Sequence, residues 1–191
     1  METKNSAFKD FFLPVLVLVA ICFAVTFALA FTYGITSPII AENTARAASE
    51  ARKELLPDAD NFTEADVKPY TLEEGKVYVL ETYTADNGAG MVVTVNTNSY
   101  GGNLTAMVGI DKDGAITGVK VTDHTDTPGV GTKAQEESHL NQYRGLTELL
   151  SDQVKTDASI NAVTGASVSS GAIHKAVYCA LEQYKEMGGV K

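Results

Sequence analysis

The sequence predicts an α+β fold, a largely antiparallel sheet flanked by helices, with one N-terminal transmembrane helix before it. Three observations lead to this prediction. An uncharged apolar run occupies residues 11–31, four strand-like runs lie between residues 77 and 121, and a helix with one apolar face occupies Ala172–Met187. A chain of 191 residues is long enough for one domain with an adequate core beyond the anchor.

The apolar run FFLPVLVLVAICFAVTFALAF, residues 11–31, contains no charged side chain. Its length of about 21 residues matches the hydrocarbon core of a bilayer, roughly 30 Å thick. A cleaved signal peptide is the alternative, because Ala28-Leu29-Ala30 fits the small-x-small cleavage pattern. The run is longer than the apolar core of a typical signal peptide, so we interpret residues 11–35 as an uncleaved anchor.

The basic residues around this anchor bear on its orientation. Lys4 and Lys9 precede it, and the positive-inside rule then predicts that residues 1–10 are a cytoplasmic N-terminus. Basic residues beyond the anchor, from Arg46 onward, favour the opposite orientation. We predict a single-pass protein of the cell (inner) membrane with its domain on the outer face.

The net charge of −9 argues against nucleic acid as a partner.

A helical spacer is predicted between the anchor and the domain, over residues 36–57. Ser37 and Pro38 suit the N-cap and the first turn of a new helix. Pro57 and Asp58 suit its end. The domain itself is then expected over residues 58–191.

The middle of the chain alternates in polarity or is rich in β-branched residues, which is typical of strands. The four strand-like runs are residues 77–83, 91–95, 104–110 and 116–121. The sequence DKDG at residues 111–114 predicts a hairpin turn between the last two. A calcium loop is the weaker alternative there, because the acidic ligands expected downstream are missing. Short helices are predicted over residues 132–140 and 145–153.

The entrance to the closing helix is made of small residues. The segment NAVTGASVSSG, residues 161–171, holds four hydroxyl side chains, although a helix cap needs only one. A helix N-terminus carries unpaired N–H groups and partial positive charge, which favour a phosphate. Small side chains would let that phosphate approach the backbone. A capped helix in a close-packed corner is the alternative for this segment taken alone.

Two other loops rich in glycine lie at junctions between elements. The loop DHTDTPGVGTK, residues 123–133, contains Thr127, Pro128, Gly129, Gly131 and Lys133. The loop NSYGGN, residues 98–103, contains Tyr100 and Gly101 just before a strand. Three tight glycine turns suggest a shared cleft where the backbone approaches a flat ligand. Each loop alone also suits an ordinary turn.

Taken in order, the motifs YGG, strand–DKDG–strand, HTDTPGVG and TGAS before a terminal helix resemble the FMN-binding domain family. With one N-terminal anchor, the chain is similar to the family of G subunits of the Rnf complex, the ion-translocating ferredoxin:NAD oxidoreductase. The resemblance extends from the anchor to about Glu186. It implies a protein that relays electrons among the other membrane subunits of such a complex, without independent catalysis.

The resemblance also implies that FMN is attached covalently. In the family, a flavin transferase that uses FAD esterifies the last hydroxyl residue of the TGAS-type motif to the phosphate of FMN. That residue is Ser167 in this chain. The approach to it is formed by Thr164, Gly165 and Ala166. The loop Thr127–Gly131 would lie against the flavin, and Lys133 would stabilise its reduced, negatively charged form.

The chain departs from the family pattern at four positions. Ser167 stands where the family usually has Thr, Asn161 where it has Asp, Asp126 where it has Glu, and Val130 where it has Leu. A serine hydroxyl makes the same ester as a threonine hydroxyl. Of the four changes, Asn161 bears most directly on recognition by the transferase.

Nothing else in the sequence predicts catalysis or a metal site. Cys22 and Cys179 form no CxxC pair. The histidines at 124, 139 and 174 have no acidic partner at a useful spacing in the sequence, so we interpret these histidines as surface or structural residues. Two other interpretations stay open. One is the C subunit of a sodium-pumping NADH:quinone reductase or a stand-alone flavin carrier, and the other is a membrane-anchored interaction module without a cofactor. A hydrolase with Ser167 as nucleophile would lack a histidine base in any recognisable motif.

Overall fold

The computed structural model describes residues 11–189. The chain divides into two compact units, the first ending at Ala47 and the second beginning at Ala48. The predicted cytoplasmic N-terminus, residues 1–10, lies outside the described residues.

The first helix, α1 (Leu13–Leu55), begins in the first unit and ends in the second. Among the described residues it is the one helix long and apolar enough to cross a membrane. Its hydroxyls bond to its own backbone: Thr26 donates to the carbonyl of Cys22 at 2.7 Å, and Thr32 to the carbonyl of Ala28 at 2.8 Å. Such bonds satisfy polar side chains where a lipid environment offers no partner.

The predicted start of a separate spacer helix was wrong. α1 runs through Ser37 and Pro38 as one continuous helix, with Pro38 in its interior. A proline inside a helix removes one backbone hydrogen bond and crowds the preceding turn. The helical pattern on both sides of Pro38 outweighs that local cost, so the start signal at Ser37 is overridden.

The second unit is built on a six-stranded, fully antiparallel sheet within the described residues. Its strands are β1 (Phe62–Glu64), β2 (Thr71–Glu73), β3 (Val77–Ala85), β4 (Gly90–Ser99), β5 (Gly102–Asp111) and β6 (Ile116–His124). Their order is β1-β3-β4-β5-β6, and β2 pairs with β3 beyond that path. The four predicted strands are confirmed within β3 to β6. The short β1 and β2 were not predicted, because three residues carry too little alternation to recognise.

The hairpin turn predicted at residues 111–114 is also confirmed. The carboxylate of Asp111 accepts the N–H groups of Asp113 at 2.9 Å and Ala115 at 2.8 Å. Gly114 follows with a φ of +85°. The aspartate therefore organises a turn, as its side chain commonly does.

The helices after the sheet are α2 (Glu137–Leu140), between 3₁₀ helices at Gly131–Gln135 and Asn141–Tyr143, and α3 (Ser167–Glu186). They confirm the prediction for residues 132–140 in shorter pieces. The helix predicted over residues 145–153 was wrong. Gly145 has a φ of +83°, and its N–H bonds to the carbonyl of Ile116 at 2.8 Å, so this segment pairs with the start of β6.

Apolar side chains cover both faces of the sheet. Successive residues of a strand point to opposite faces, and in β4 Val93 belongs to the core cluster that contains the apolar face of α3. Val92 belongs to a second cluster with Ala51 and Leu55 from the last turns of α1. The α+β fold class is therefore confirmed, and α3 starts at one end of this sheet with a solvent-facing entrance.

Candidate functional site

The entrance of α3 begins at Ser167, earlier than the predicted Ala172. The turn before it is closed by the N–H of Ala166, which bonds to the carbonyl of Val163 at 3.0 Å. Gly165 takes a φ of +83° in that turn, a conformation that is strained for residues with a side chain. The glycine of the TGAS motif thus allows the turn that presents Ser167 as the first helical residue.

Two of the four hydroxyls at this entrance are buried and hydrogen-bonded. Ser170 Oγ accepts the N–H of Val163 at 3.0 Å, which ties the turn to the first turn of the helix. Ser169 Oγ lies 3.0 Å from Ser99 Oγ at the end of β4. These hydroxyls fasten the helix entrance to the turn and to the sheet.

The other two hydroxyls, of Thr164 and Ser167, are exposed. Within the part of the chain that the structure describes, Ser167 Oγ has no hydrogen-bond partner, and Ala166 at the N-cap supplies no side-chain cap. The first N–H groups of a helix have no intrahelical acceptor and carry partial positive charge. Ser167 is therefore a free hydroxyl in a setting that favours an attached anion.

Asp126 holds this entrance to the neighbouring loops. Its carboxylate accepts hydrogen bonds from Ser99 Oγ at 2.7 and 2.8 Å, from the N–H of Gly101 at 2.9 Å, and from Ser169. Burial raises the pKa of Asp126, but these hydrogen bonds outweigh burial and hold the pKa below its ordinary value. Asp126 is only 4% exposed, so the structure contains a buried carboxylate that is stabilised by its donors.

Two glycines allow the loops to approach Asp126. A Cβ atom at Gly101 would lie 2.2 Å from the carbonyl oxygen of Thr125. A Cβ atom at Gly131 would lie 2.7 Å from Cγ of Asp126 and 2.9 Å from Oγ of Ser169. No side chain fits at such distances. The three glycine-rich turns identified in the sequence thus meet around one carboxylate.

The remaining loop residues of the predicted site are exposed to solvent, namely Thr127, Pro128, Gly129, Lys133 and Tyr100. Gly129 has a φ of +76°, and its N–H bonds to Thr132 Oγ1 at 2.8 Å, which shapes the tip of the loop. Tyr100 is 78% exposed. Their proposed contacts with a flavin stay predictions.

A cavity of about 360 Å³ opens beside Ser167. It lies between one face of α3, the loop before that helix and the end of β4. Its lining residues are Asn98, Asp152, Gln153, Val154, Lys155, Ser167, Val168, Gly171, Ala172 and Lys175. Ser167 is the one residue of the predicted site among them. For Gly171 and Lys175 the sequence signal was helical spacing, since residues four and eight positions after Ser167 lie near its face, whereas Asn98 and residues 152–155 come from other segments.

The loop wall of this cavity, residues 152–155, is held by a buried network. His174 Nε2 donates to the carbonyl of Ser151 at 2.8 Å, and Asp157 accepts the N–H of Leu150 at 2.8 Å. Burial lowers the pKa of His174, although the bond to Ser151 and the charge of Asp157 act in the opposite direction. The imidazole is therefore neutral near pH 7 and serves as a fixed support for the loop.

The sequence spacing indicated no acidic partner for His174, but the fold brings one to it. Asp157 Oδ2 lies 3.7 Å from its Nε2, and both side chains are fully buried. His139 and His174 also flank Tyr143, with ring centroids 5.7 and 5.9 Å away. No sequence spacing indicates this cluster, because its members come from three separate segments. Its isolation from solvent makes it structural.

No metal centre is found among residues 11–189, where no three His, Cys, Asp or Glu side chains are grouped to hold an ion. Cys179 is buried and unpaired in α3, and burial raises its pKa to about 12. The raised pKa keeps this thiol protonated near neutral pH, so it has little nucleophilic character.

The fold and the site define an FMN-binding domain that follows one apolar helix in the sequence. The FMN-binding domain family matches residues 99–182. The G subunit of the Na⁺-translocating ferredoxin:NAD⁺ oxidoreductase complex of Acetobacterium woodii is 30% identical, over 98% of this chain and 99% of its own. The G subunit of the proton-translocating complex of Clostridium ljungdahlii is 29% identical over 91% of each chain. The G subunit of the ion-translocating oxidoreductase complex of Methanosarcina acetivorans is 31% identical over 76% of this chain and 79% of its own. The chain belongs to this family of G subunits of ion-translocating oxidoreductase complexes.

Proposed function

We propose that this chain carries FMN on Ser167 through a phosphoester bond and relays electrons between other membrane subunits of an ion-translocating ferredoxin:NAD oxidoreductase complex. The observation that carries the proposal is the free, exposed hydroxyl of Ser167 at the N-terminus of α3, where the neighbouring Ser169 and Ser170 are buried and already bonded. Bound FMN supplies the chemistry, because it accepts and donates one or two electrons.

The residues present fit a flavin tethered by its phosphate. The unpaired N–H groups of the first helical turn favour the negative charge of a phosphodiester. Gly165 leaves the approach open, since a Cβ atom there would have no heavy atom within 4 Å. The cavity of about 360 Å³ beside Ser167 offers room for a group attached to its oxygen.

In the proposed attachment, Ser167 Oγ forms a bond to the phosphorus next to the riboflavin part of FAD, with a flavin transferase as catalyst. The phosphoanhydride bond of FAD breaks, AMP leaves, and the hydroxyl proton is released. Asn161 lies six residues before Ser167 with an exposed side chain, and its N–H bonds to Gln142 Oε1 at 2.8 Å. The backbone at Asn161 is thus held by the domain while its side chain is available to the transferase.

α1 anchors the domain beside its partners in this proposal, with the N-terminus in the cytoplasm and the domain on the outer face. The positive-inside rule supports that orientation through Lys4 and Lys9. We assign no independent catalytic step to the chain, whose residues bind, orient and insulate the cofactor.

The test is the intact mass of the full chain, co-expressed with a flavin transferase, together with ultraviolet fluorescence of its band in a denaturing gel. We expect a mass increase of one FMN less one water, which peptide sequencing maps to Ser167. Ser167→Ala abolishes both signals, Ser167→Thr keeps them, and Ser138→Ala, at an exposed hydroxyl outside the site, serves as the matched control. A fluorescent band that persists in Ser167→Ala refutes the assignment of the acceptor.

An unmodified wild-type chain would have a specific follow-up. If Asn161→Asp restores the flavin, recognition by the transferase was limiting and the proposal stands. If Asn161→Asp combined with Ser167→Thr also stays dark, the covalent proposal fails, and an interaction module without a covalent cofactor becomes the better account.

A further inference from the structure

We infer that the free edge of β6 is a docking site for an extended segment of a partner protein that carries an acidic side chain, and that Arg144 and Gln135 recognise its carboxylate. The partner segment adds to the sheet through backbone hydrogen bonds, which is one of the recurring ways in which proteins bind extended chains. The inference goes beyond the proposed flavin attachment and does not depend on it.

β6 is the last strand along the path of the sheet, so one side of its backbone has no neighbouring strand. At its start Ile116 is covered, because its N–H bonds to the carbonyl of Leu146 at 2.9 Å and its carbonyl accepts the N–H of Gly145 at 2.8 Å. From residue 117 to residue 124, no described residue forms a backbone hydrogen bond with the outer side of the strand. Every second residue of this stretch therefore presents an unpaired N–H and an unpaired carbonyl.

Two bulges limit the edge that a partner strand can use. The pairing of β6 with β5 skips Thr117 and Thr122, so regular pairing extends from Gly118 to Val121. The same four residues line a cavity of about 450 Å³. Bulges at both ends bend and twist the strand, which disfavours longer pairing. A short partner segment therefore fits this edge, and a long sheet-to-sheet contact does not.

The cavity lies at the edge of the sheet, between the layers that cover its two faces. One wall is Glu54 and Leu55 at the end of α1, and Leu55 belongs to the apolar cluster on one face. The other wall consists of residues from the segment 135–144, and Tyr143 of this segment belongs to the cluster on the opposite face. The edge strand is therefore the floor of a groove that has a wall on each side.

Two donors that line this groove have no acceptor among residues 11–189. The Nε2 atom of Gln135 is shielded from solvent and makes no hydrogen bond. The exposed guanidinium of Arg144 makes no hydrogen bond and no ion pair. A buried amide without a partner costs free energy, so this nitrogen indicates an acceptor that the chain itself does not supply. A carboxylate that enters the groove offers two acceptor oxygens, and it binds a guanidinium through parallel hydrogen bonds.

Arg144 is held in position before any partner binds. Its backbone N–H bonds to the carbonyl of Asn141 at 3.3 Å, and the following residue, Gly145, is bonded to Ile116 of β6. Nη2 of Arg144 lies 3.6 Å from the position that a Cβ atom would take at Gly118, so the guanidinium lies against the edge strand. A donor that is already in place loses less conformational freedom when the partner binds.

The charges of the groove favour an acidic partner over a second copy of this chain. Lys120, within the regular part of the edge, is already paired with Glu54. Glu137 is the other acidic residue of the lining, and it forms no ion pair with Arg144 in the described part of the chain. The positive charge of Arg144 is therefore uncompensated. Pairing two β6 edges would bring Lys120 and Arg144 of both copies together, and such like charges repel.

The edge leads toward the corner around Asp126. β6 ends at His124, and Asp126 follows two residues later. A segment that lies along β6 therefore has one end beside the loops that meet at this carboxylate. Binding at the edge brings the partner near the entrance of α3 without occupying it.

The experiment uses a probe peptide, Thr-Val-Glu-Val-Thr blocked at both ends, added at up to about 5 mM so that weak binding is detected. It is titrated into the isotope-labelled full chain in detergent, and amide chemical shifts are followed by NMR. We expect shifts in residues 118–121 and in the side-chain amide of Gln135. The same peptide with Gln in place of Glu should bind about tenfold more weakly, because it lacks the charged acceptor. A peptide with every amide N-methylated should not bind, because it cannot donate the strand hydrogen bonds.

Variants of the chain test the two donors. Arg144→Gln should weaken binding of the Glu peptide about tenfold and leave binding of the Gln peptide unchanged. Gln135→Met, which removes the buried donor, should weaken binding of the Glu peptide about threefold. Lys112→Gln is the matched control, since Lys112 is an exposed lysine outside the groove, and it should not change the affinity. Circular dichroism verifies that each variant is folded.

Each other outcome overturns a stated part of the inference. No shift in residues 118–121 at the highest peptide concentration overturns the docking site. Equal affinity for the Glu and Gln peptides overturns the recognition of a carboxylate, and equal affinity for the N-methylated peptide overturns strand addition. A dimer of the chain that forms through residues 118–121 makes a second copy the occupant and overturns the acidic partner.

The result is also distinguishable from that of the proposed function. Covalent loading at Ser167 is measured by mass on the same sample. A flavinylated chain that does not bind the peptide loses this inference and keeps the proposed attachment. A chain without flavin that binds the Glu peptide at residues 118–121 keeps this inference.

Discussion

Replacing Asp126 with alanine should loosen the corner that the helix entrance shares with its two neighbouring loops. The carboxylate accepts hydrogen bonds from Ser99, Ser169 and the N–H of Gly101. Each bond to a charged acceptor contributes about 1.5–3 kcal/mol. The two serine hydroxyls can still bond to each other, 3.0 Å apart, and water can reach Gly101. We therefore expect a loss of about 2–4 kcal/mol in the free energy of unfolding, less than the sum of three bonds.

The assay is urea unfolding of the full chain in detergent, followed by far-ultraviolet circular dichroism of the sheet. Asp123→Ala, an exposed carboxylate nearby, is the matched control and should change stability by about 0.5 kcal/mol at most. Because the folded pKa of Asp126 is lowered, its contribution is present above the unfolded pKa, near 3.8, and is lost as pH falls through the folded value. Asp126→Asn should therefore lose less stability in acid than the wild type. A loss below about 1 kcal/mol in Asp126→Ala, or one equal to Asp123→Ala, would refute the role given to this carboxylate.

Three further predictions concern single positions of the domain. Burial lowers the pKa of His174 below 6.5, so the unfolded chain binds a proton at this residue at a higher pH than the folded chain does. The free energy of unfolding should therefore fall as pH drops below about 6.5. His174→Gln should make that fall smaller in urea unfolding between about pH 7 and pH 5. Gly101→Ala should lower the free energy of unfolding by about 2–3 kcal/mol, because its Cβ atom would lie 2.2 Å from a carbonyl oxygen. Gly75→Ala is the comparison: its glycine has a positive φ but open space around it, so the loss in the same assay should be about 1–2 kcal/mol. Cys179, with a pKa raised to about 12 by burial, should resist iodoacetamide at pH 8 in the folded chain and react after denaturation, as peptide mass spectrometry would reveal.

The sheet could be predicted because its strands carry strong local signals. β4 is buried on both faces, so its valines form a nearly continuous apolar run, and Asp111 with Gly114 marks the following hairpin by turn chemistry alone. The glycines of the three turns were likewise recognisable as positions of close approach. A short sequence pattern is sufficient to predict a strand or a turn where the conformation depends mainly on neighbouring residues in the chain.

The features that sequence reasoning missed depend on contacts between distant segments. His174 and Asp157 are brought together by the folding of a loop against α3, and no spacing in the chain announces that contact. The cavity beside Ser167 combines Asn98 from β4 with Lys175 from α3. The start signal at Ser37 was misleading for a related reason, because a good local cap was overridden by the longer helix around it.

Folding narrows the proposed acceptor to the two exposed hydroxyls among the four, those of Thr164 and Ser167, and the resemblance to the family motif selects Ser167. Ser169 bonds into the Asp126 corner and Ser170 bonds to the turn, so neither is free to attack a phosphate without unfastening the helix entrance. Ser167, the first residue of α3, stays exposed and has no such bond. If Ser167 is the acceptor, as proposed, loss of Asp126 should reduce flavin loading, because the hydrogen bonds of Asp126 and Ser99 to Ser169 hold the first turn of α3 in place.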